Sequence, residues 1–177
     1  MRFTKLDIVG AFLIEIEAHH DERGFFARTF CKSEFANHGM NATLVQCSTS
    51  FNARRGTLRG LHYQAAPHEE TKIVRCTAGA IFDVIVDSRT RSSTFGTWFA
   101  TELTSRNRRM MYVPEGVAHG FQTLEDESEV FYQISTEFTP EAGRGIRWDD
   151  PHLSIPWPLR EDRIISPRDA EFPGLIP

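Results

Sequence analysis

Short runs in which apolar and polar residues alternate fill most of the chain, and they predict a protein built from β-strands. A period of two residues is typical of a strand with one face against a core. The clearest run lies at 80–87, where Phe82, Val84 and Val86 alternate with Asp83 and Asp87 and indicate a half-buried strand. Strands are predicted at 11–17, 25–30, 42–51, 57–64, 71–77, 80–87, 97–104, 109–113, 117–124 and 128–136.

The segments between these runs supply turns and little helix. A polar turn is predicted at 19–24 (HHDERG), and a short helix at 32–38 stops at Gly39. From Pro140 onward we expect loops that end in a short segment near 168–171. Many short, regularly spaced strands predict an all-β sandwich or barrel, of which the jelly roll is a common form. With 177 residues, we expect one domain spanning 1–177.

Composition and charge exclude several classes of protein. The formal net charge of −4 does not suggest a nucleic-acid partner. There is no apolar run near the length of about 18 residues that a membrane span needs, and the N-terminus does not resemble a signal peptide. Three cysteines without a CxxC pair indicate neither a disulfide framework nor a structural zinc site. A cytoplasmic enzyme is the expectation.

The segment GTLRGLHYQ at 56–64 is the first candidate for chemistry, because it places Arg59 and His62 beside two glycines. Residues three apart in a regular strand point to opposite faces, but Gly60 permits a bulge that would bring them together. A core histidine with a surface arginine is the alternative, and the spacing alone does not decide between the two.

The segment PEGVAHGF at 114–121 places His119 in the P-x-G-x-x-H half of the metal-binding cupin pattern. The other half requires H-x-H followed by a glutamate. Here His62 and Glu69 match, but Gln64 replaces the second histidine. Because a metal site normally needs three or four good protein ligands, we expect a cupin-type barrel without a metal.

Three further features are weaker on their own. Tyr132 lies in an alternating strand, where a core tyrosine is the simple interpretation, and Asp169 is a lone acid in a C-terminal loop. Six basic residues within about fifty positions suggest an anionic ligand, since arginine and lysine suit phosphate; a solvated basic face is the alternative. They are Arg23, Arg54, Arg55, Arg59, Lys72 and Arg75.

Together these motifs resemble those of the dTDP-4-dehydrorhamnose 3,5-epimerase family over most of the chain. The matching segments are DERGFF at 21–26, LRGLHYQ at 58–64, KIVR at 72–75, GAIFDVIVD at 79–87, TFG at 94–96, PEGVAHGF at 114–121 and GIRWDDP at 145–151. The resemblance implies a cupin-type jelly-roll barrel, no metal and no organic cofactor. It also implies a homodimer that exchanges N-terminal strands.

The resemblance also implies a reaction and its residues. The substrate would be a nucleoside diphosphate that carries a 4-keto-6-deoxy sugar, whose C3 and C5 hydrogens flank the ketone and can leave to form an enolate. Inversion needs removal on one face and return on the other, for which the family's base matches His62 and its acid matches Tyr132. Asp169 matches the carboxylate that orients the base, and Lys72 is the candidate donor to the enolate oxygen. The matching substrate contacts are Arg23, Gln46, Arg59, Lys72 and His119.

Three positions depart from the family pattern, and all lie in or near its nucleotide-binding region. Arg28 replaces the usual glutamate two residues after RGFF, Ser48 ends the usual Q-x-N, and Gly143 replaces the usual glutamate before R-G-I. An arginine cannot accept a hydrogen bond from the N3–H of thymine or uracil. The sequence therefore predicts that Arg28 contacts the nucleotide and weakens discrimination in favour of dTDP, with a CDP-linked sugar as an alternative substrate. The alternative is that Arg28 turns toward phosphate or solvent and that Ser48 or a water reads the base.

Other functions stay open at this point. On the same scaffold they are a 3-only epimerase, a 3,4-ketoisomerase, a non-catalytic sugar-nucleotide binding protein and a metal-dependent cupin enzyme. Retention of both His62 and Tyr132 favours epimerisation, whereas Gln64 opposes the metal-dependent enzyme.

Overall fold

The computed structural model describes residues 1–176, and most of its regular structure is β-strand. The strands are β1 Arg2–Lys5, β2 Phe12–Glu15, β3 His19–Asp21, β4 Gly24–Phe26, β5 Gln46–Asn52, β6 Thr57–Gln64, β7 Lys72–Ala78, β8 Ala80–Asp87, β9 Trp98–Thr104, β10 Met110–Val113, β11 Val117–Thr123, β12 Ser128–Ile134, β13 Gly143–Gly145 and β14 Ile164–Ile165. The helices are α1 Lys32–Asn37, α2 Pro167–Ala170 and a 3-10 turn at Pro140–Ala142.

Two large sheets form the body of the molecule. The first has the strand order β1-β2-β10-β7-β12-β5, and the second has the order β13-β6-β11-β8-β9, with β14 parallel to β6. Strands β3 and β4 form a separate antiparallel hairpin. This is a double-sheet jelly roll with few short helices, so the predicted all-β, cupin-type fold is confirmed.

Three apolar clusters hold these layers together. The inward faces of both sheets supply the central cluster, which includes Val74, Ile85, Met111, Phe121 and Val130. Helix α1 covers the outer face of the first sheet, and the C-terminal tail covers the outer face of the second. The inward faces also carry polar residues, and these line the cavity described below.

Most predicted strands are present, and the differences have local causes. Strands β6 and β8 have the predicted bounds, whereas the run predicted at 42–51 begins only at Gln46. The predicted strand at 25–30 is reduced to β4, and half of the polar turn predicted at 19–24 is strand β3. The sequence did not indicate β1, β13 or β14. The last two are short and are held by pairing with β6, which a local pattern cannot reveal.

The prediction that β8 is half-buried is wrong, because both of its faces are covered. Asp83 and Asp87 are fully buried, and each has partners inside the protein. Asp83 contacts His119, while Asp87 accepts hydrogen bonds from Arg89 and from two nearby hydroxyls.

Within residues 1–176, no helix has both the length and the apolar character that crossing a membrane requires.

Candidate active site

The inward face of β6 carries both Arg59 and His62, although these residues are three positions apart. The pairing of β6 with β11 changes register between the His119–His62 pair and the Phe121–Arg59 pair. Gly60 lies at this irregularity with a φ of 125°, a conformation that favours glycine. Both side chains therefore line the same cavity, which is the arrangement that a bulge at Gly60 permits.

His62 forms a hydrogen bond with a carboxylate from the far end of the chain. Its Nε2 lies 2.9 Å from Oδ1 of Asp169, while Oδ2 of Asp169 accepts the backbone N–H of Gly60 at 3.1 Å. Helix α2 carries Asp169 and begins at Ser166, whose side chain accepts the Asp169 N–H. Burial opposes ionisation of Asp169, but the hydrogen bond and charge of His62 and the bond from Gly60 outweigh it, so its pKa is lowered.

The imidazole of His62 is restrained but still reachable. Phe172 packs edge-on against it, with ring centroids 5.6 Å apart. A Cβ at position 145 would overlap the Phe172 ring, so Gly145 leaves the space that this ring occupies. The side chain of His62 is 42% exposed while that of Asp169 is 8% exposed. Because Nε2 donates to Asp169, Nδ1 is the nitrogen available to accept a proton.

A second histidine–carboxylate pair lies deeper in the same cavity. His119 Nε2 and Asp83 Oδ1 are 2.6 Å apart, and both side chains are buried. Tyr132 packs edge-on against His119 at 5.9 Å and lines the inner part of the cavity. Burial, with the charge of Asp83, raises the pKa of Tyr132 despite the opposing charge of Arg59. Its phenol is therefore protonated at neutral pH and can act as an acid.

The outer part of the cavity is polar and has a volume of about 620 Å³. Gln46 and Lys72 line it, as expected from the sequence, together with Glu70 and Phe138. The inner part, of about 280 Å³, shares Lys72 with the outer part. The cavity therefore combines an accessible base, a protonated tyrosine and fixed cations.

Two of the predicted substrate contacts do not line this cavity. Arg23 lies at the turn of the β3–β4 hairpin, where it is exposed and pairs with Asp21. Arg28 is also exposed and forms an ion pair of 2.8 Å with Glu34. The other predicted site residues come together: His62, Tyr132, Asp169, Gln46, Arg59, Lys72 and His119.

The six basic residues do not form one cluster. Only Arg59 and Lys72 face the cavity. Arg75 points to the outer face of the first sheet, where its guanidinium lies 5.1 Å from the centre of the Phe131 ring. Arg55 bonds the carbonyl of Leu124. The four basic residues outside the cavity are therefore not placed around a single anionic ligand within this chain.

Gln64, which replaces a cupin metal ligand, is occupied by the backbone. Its amide donates to the carbonyls of His68 and Glu137, and its oxygen accepts the N–H of Thr139. Across the described part of the chain, residues 1–176, no group of three or more histidine, cysteine, aspartate or glutamate side chains is placed to hold a metal ion.

Three residues of the site were missed from the sequence. Asp83 holds His119, Asn52 accepts from Arg59 Nε at 2.7 Å, and Glu70 contacts Lys72. Strand parity could have indicated Asp83, which lies two residues from the inward-facing Ile81 and Ile85, whereas Glu70 precedes β7 and carried no strand signal. Asn52 carried no such signal.

An accessible histidine paired with a carboxylate can take up a proton, and a protonated tyrosine can supply one. A jelly roll that holds both of these groups in one polar cavity is typical of enzymes that remove a proton from a bound polar ligand and return one to it. Comparison with known proteins narrows this class to isomerases. The family model described as dTDP-4-dehydrorhamnose 3,5-epimerase matches residues 5–176.

The chain belongs to the dTDP-4-dehydrorhamnose 3,5-epimerase family. It is 44% identical over 176 residues to the enzyme of that name from Methanothermobacter thermautotrophicus, covering 98% of this chain and 94% of the relative. The crystal structure of the Bacillus anthracis enzyme with TDP and PPi bound has a TM-score of 0.94 at 37% identity, covering 98% and 99% of the two chains. A 3'-monoepimerase from Streptomyces bikiniensis in complex with dTDP-quinovose has a TM-score of 0.89 at 32% identity, covering 96% and 86%.

Proposed function

We propose that this protein epimerises C3, C5 or both in a nucleoside-diphosphate 4-keto-6-deoxy sugar, and that His62, Tyr132 and Asp169 carry the reaction. The observation that supports this most directly is the shared cavity, in which the accessible His62–Asp169 pair and the protonated Tyr132 are both present. Relatives that carry the epimerase name support the same reaction.

In this proposal His62 removes the proton next to the ketone through Nδ1. Asp169 accepts from Nε2, which fixes the tautomer that leaves Nδ1 free and stabilises the imidazolium that forms. The carbon's electron pair moves into an enolate, whose oxygen is the former ketone oxygen. Tyr132 then delivers a proton to the opposite face of the same carbon, which inverts it.

The enolate oxygen needs a positive group that is already in place. Lys72 reaches both parts of the cavity and has a side chain that is only 10% exposed, which makes its charge effective at short range. Arg59, oriented by Asn52, supplies a second cation to the same cavity. Arg144 and Arg168, which line the outer part, suit a diphosphate.

We infer a homodimer from the two arginines that lie outside the cavity, and a cytoplasmic location from the cysteines. Phe26 in the same hairpin is 77% exposed, and Phe25 is 41% exposed. A hairpin that carries Arg23 and two exposed phenylalanines supports exchange of N-terminal strands, in which one copy places its hairpin against its partner. All three cysteines are free, which suits a reducing compartment.

The experiment that tests the reaction is incubation in deuterated water with the 4-keto-6-deoxyglucose derivatives of dTDP, CDP, UDP and GDP. NMR would report the nucleotide, the carbon that exchanges and the configuration of the product together. Deuterium at C3, C5 or both, accompanied by inversion, is expected. No exchange with any of the four substrates would refute the proposal.

Inversion at C3 alone is the second candidate. The similarity of the fold to that of a 3'-monoepimerase supports this second candidate. Both reactions need the same base, acid and enolate, so the same NMR experiment distinguishes them by whether deuterium enters at C5.

A further inference from the structure

Glu70 brings a carboxylate into the cavity next to the proposed enolate-stabilising lysine. Glu70 and Lys72 are two residues apart, and both line the outer part of the cavity. Glu69 and Thr71 point the other way and line a different cavity with Tyr112. The segment that leads into β7 therefore places one glutamate inside the site and its sequence neighbour outside it.

The ammonium of Lys72 has two fixed acceptors. Its Nζ lies 3.0 Å from Oε1 of Glu70 and 3.3 Å from the backbone oxygen of His62. The side chains of Glu70 and Lys72 are 9% and 10% exposed, so water screens this pair weakly. Since an ammonium has three protons, two acceptors leave one proton for a ligand in the cavity.

The backbone at this pair, where β7 begins at Lys72, is itself anchored. Thr71 donates its N–H to the hydroxyl of Ser135 at 2.8 Å, and its carbonyl accepts the Ser135 N–H at 3.2 Å. Lys72 pairs across the sheet with Val113 on one side and Ile134 on the other. The backbone below the ion pair is therefore fixed, and the direction of the ammonium depends on its two acceptors.

We propose that Glu70 is a positioning residue that directs the third proton of Lys72 toward the ketone oxygen of the substrate. The proposal rests on the proposed epimerase function. Glu70 also places a negative charge where the diphosphate substrate must bind, which weakens ground-state binding. Its two effects are therefore opposed: it favours turnover and disfavours affinity for the anion.

This opposition gives a signature that loss of structure would not produce. In Glu70→Gln, an amide oxygen can still accept from Lys72 but the negative charge is gone. In Glu70→Ala, both are lost. We expect the maximal rate of deuterium exchange to fall about 10-fold in Glu70→Gln and about 10²-fold in Glu70→Ala. We expect the dissociation constant of free dTDP to decrease about two- to fivefold in both variants.

The experiment measures exchange at saturating substrate by NMR, dTDP binding by calorimetry and thermal unfolding, in wild type, both variants and the matched control Glu69→Gln. The control removes the same charge one residue away and should leave exchange unchanged. Exchange in Glu70→Gln within a factor of two of wild type, or dTDP binding that weakens in both variants, would overturn the role of Glu70.

Thermal unfolding distinguishes an unfolded variant from a misdirected lysine, and exchange by the wild type tests the epimerase function itself. If Glu70→Ala unfolds at the assay temperature, Glu70→Gln decides, because it keeps the volume and one hydrogen bond. Absence of exchange in the wild type would refute the proposed function instead. The dTDP affinities of Glu70→Gln and Glu69→Gln would then decide whether Glu70 opposes anion binding.

Discussion

Two histidine–carboxylate pairs lie in one cavity, with His62 and His119 opposite each other in neighbouring strands. They differ in solvent access: the side chain of His62 is 42% exposed, whereas that of His119 is 4% exposed. They also differ at the second carboxylate oxygen. In Asp169 this oxygen accepts the Gly60 N–H, whereas Oδ2 of Asp83 is buried with no partner in the described structure.

The surroundings shift the pKa values of the two carboxylates in opposite directions. Burial is the largest influence on both. For Asp169 the contacts with His62, Gly60 and Ser166 outweigh it and lower the pKa, whereas for Asp83 burial prevails over the attraction of His119 and raises the pKa. The same two residue types can therefore make an accessible base in one place and an anchored side chain in another. Solvent access to the histidine and a hydrogen bond to the second carboxylate oxygen determine which of these two roles the pair has.

The largest effect is expected from removing the accessible histidine. His62→Ala should lower the rate of C3 deuterium exchange by about 10²–10⁴-fold while free dTDP still binds, because only the general base is lost. The measurement is exchange by NMR with calorimetric binding of dTDP. The matched control is His152→Ala, a surface histidine whose side chain is 87% exposed. A variant within a few-fold of wild type would show that His62 is not the base.

Tyr132 contacts the buried pair rather than the accessible one, so its removal should affect a different step. Tyr132→Phe should still incorporate deuterium through His62, while inversion falls about 10²-fold because the acid is missing. Comparing exchange with the appearance of epimer by NMR checks this. Tyr112→Phe is the control, since its hydroxyl bonds Asn41 on the outer face of the first sheet. Equal loss of exchange and inversion would argue against separate base and acid.

The pH dependence of stability should differ in sign between the two carboxylates. Because the pKa of Asp169 is lowered, its ionised form stabilises the fold at neutral pH, and this contribution is lost as the pH falls below the ordinary range of about 4. The advantage of wild type over Asp169→Asn should therefore shrink in acid. The raised pKa of Asp83 means that its ionisation opposes folding, so the stability of wild type relative to Asp83→Asn should rise as the pH falls toward its raised pKa.

Denaturant unfolding of the three proteins between about pH 3 and about pH 8, a range that includes the ordinary pKa of an aspartate, measures both trends. If the stability differences between wild type and the two variants changed in the same direction with pH, the contrast between the pairs would be contradicted.

The fold could be predicted from the sequence because strand period and turn residues are local signals. The bounds of β6 and β8 match those predicted from short β-prone runs and the turn residues around them, whereas Gly60, between Arg59 and Leu61, only permitted the irregularity that the structure shows. The burial of Asp83 could not be predicted in this way. Its environment depends on the facing first sheet, which covers the inward side of β8, and on a histidine 36 residues away.

The candidate site shows the same limit. Asp169 and His62 are 107 residues apart and meet because β14 pairs with β6 and leads into α2. No local pattern reports that pairing, and only the family resemblance indicated the role of Asp169. Arg23 shows the opposite case, since the resemblance implied a substrate contact that lies outside the cavity of this chain. Arg28, which departs from the family pattern, also lies outside it.

The smallest effect is expected at Arg28, which belongs to neither pair. An arginine cannot accept the N3–H of thymine or uracil, whereas the N3 and O2 of cytosine are both acceptors. Free CDP should therefore compete against a given substrate nearly as well as dTDP, and Arg28→Glu should shift the preference toward dTDP about fivefold, the worth of one hydrogen bond. Lys32→Glu makes the same charge change on neighbouring α1 and controls for it. Because Arg28 is exposed and bound to Glu34, the preference requires it to reach a nucleotide in a partner's cavity. Tight inhibition by dTDP with CDP inert, unchanged in Arg28→Glu, would show that this residue does not read the base.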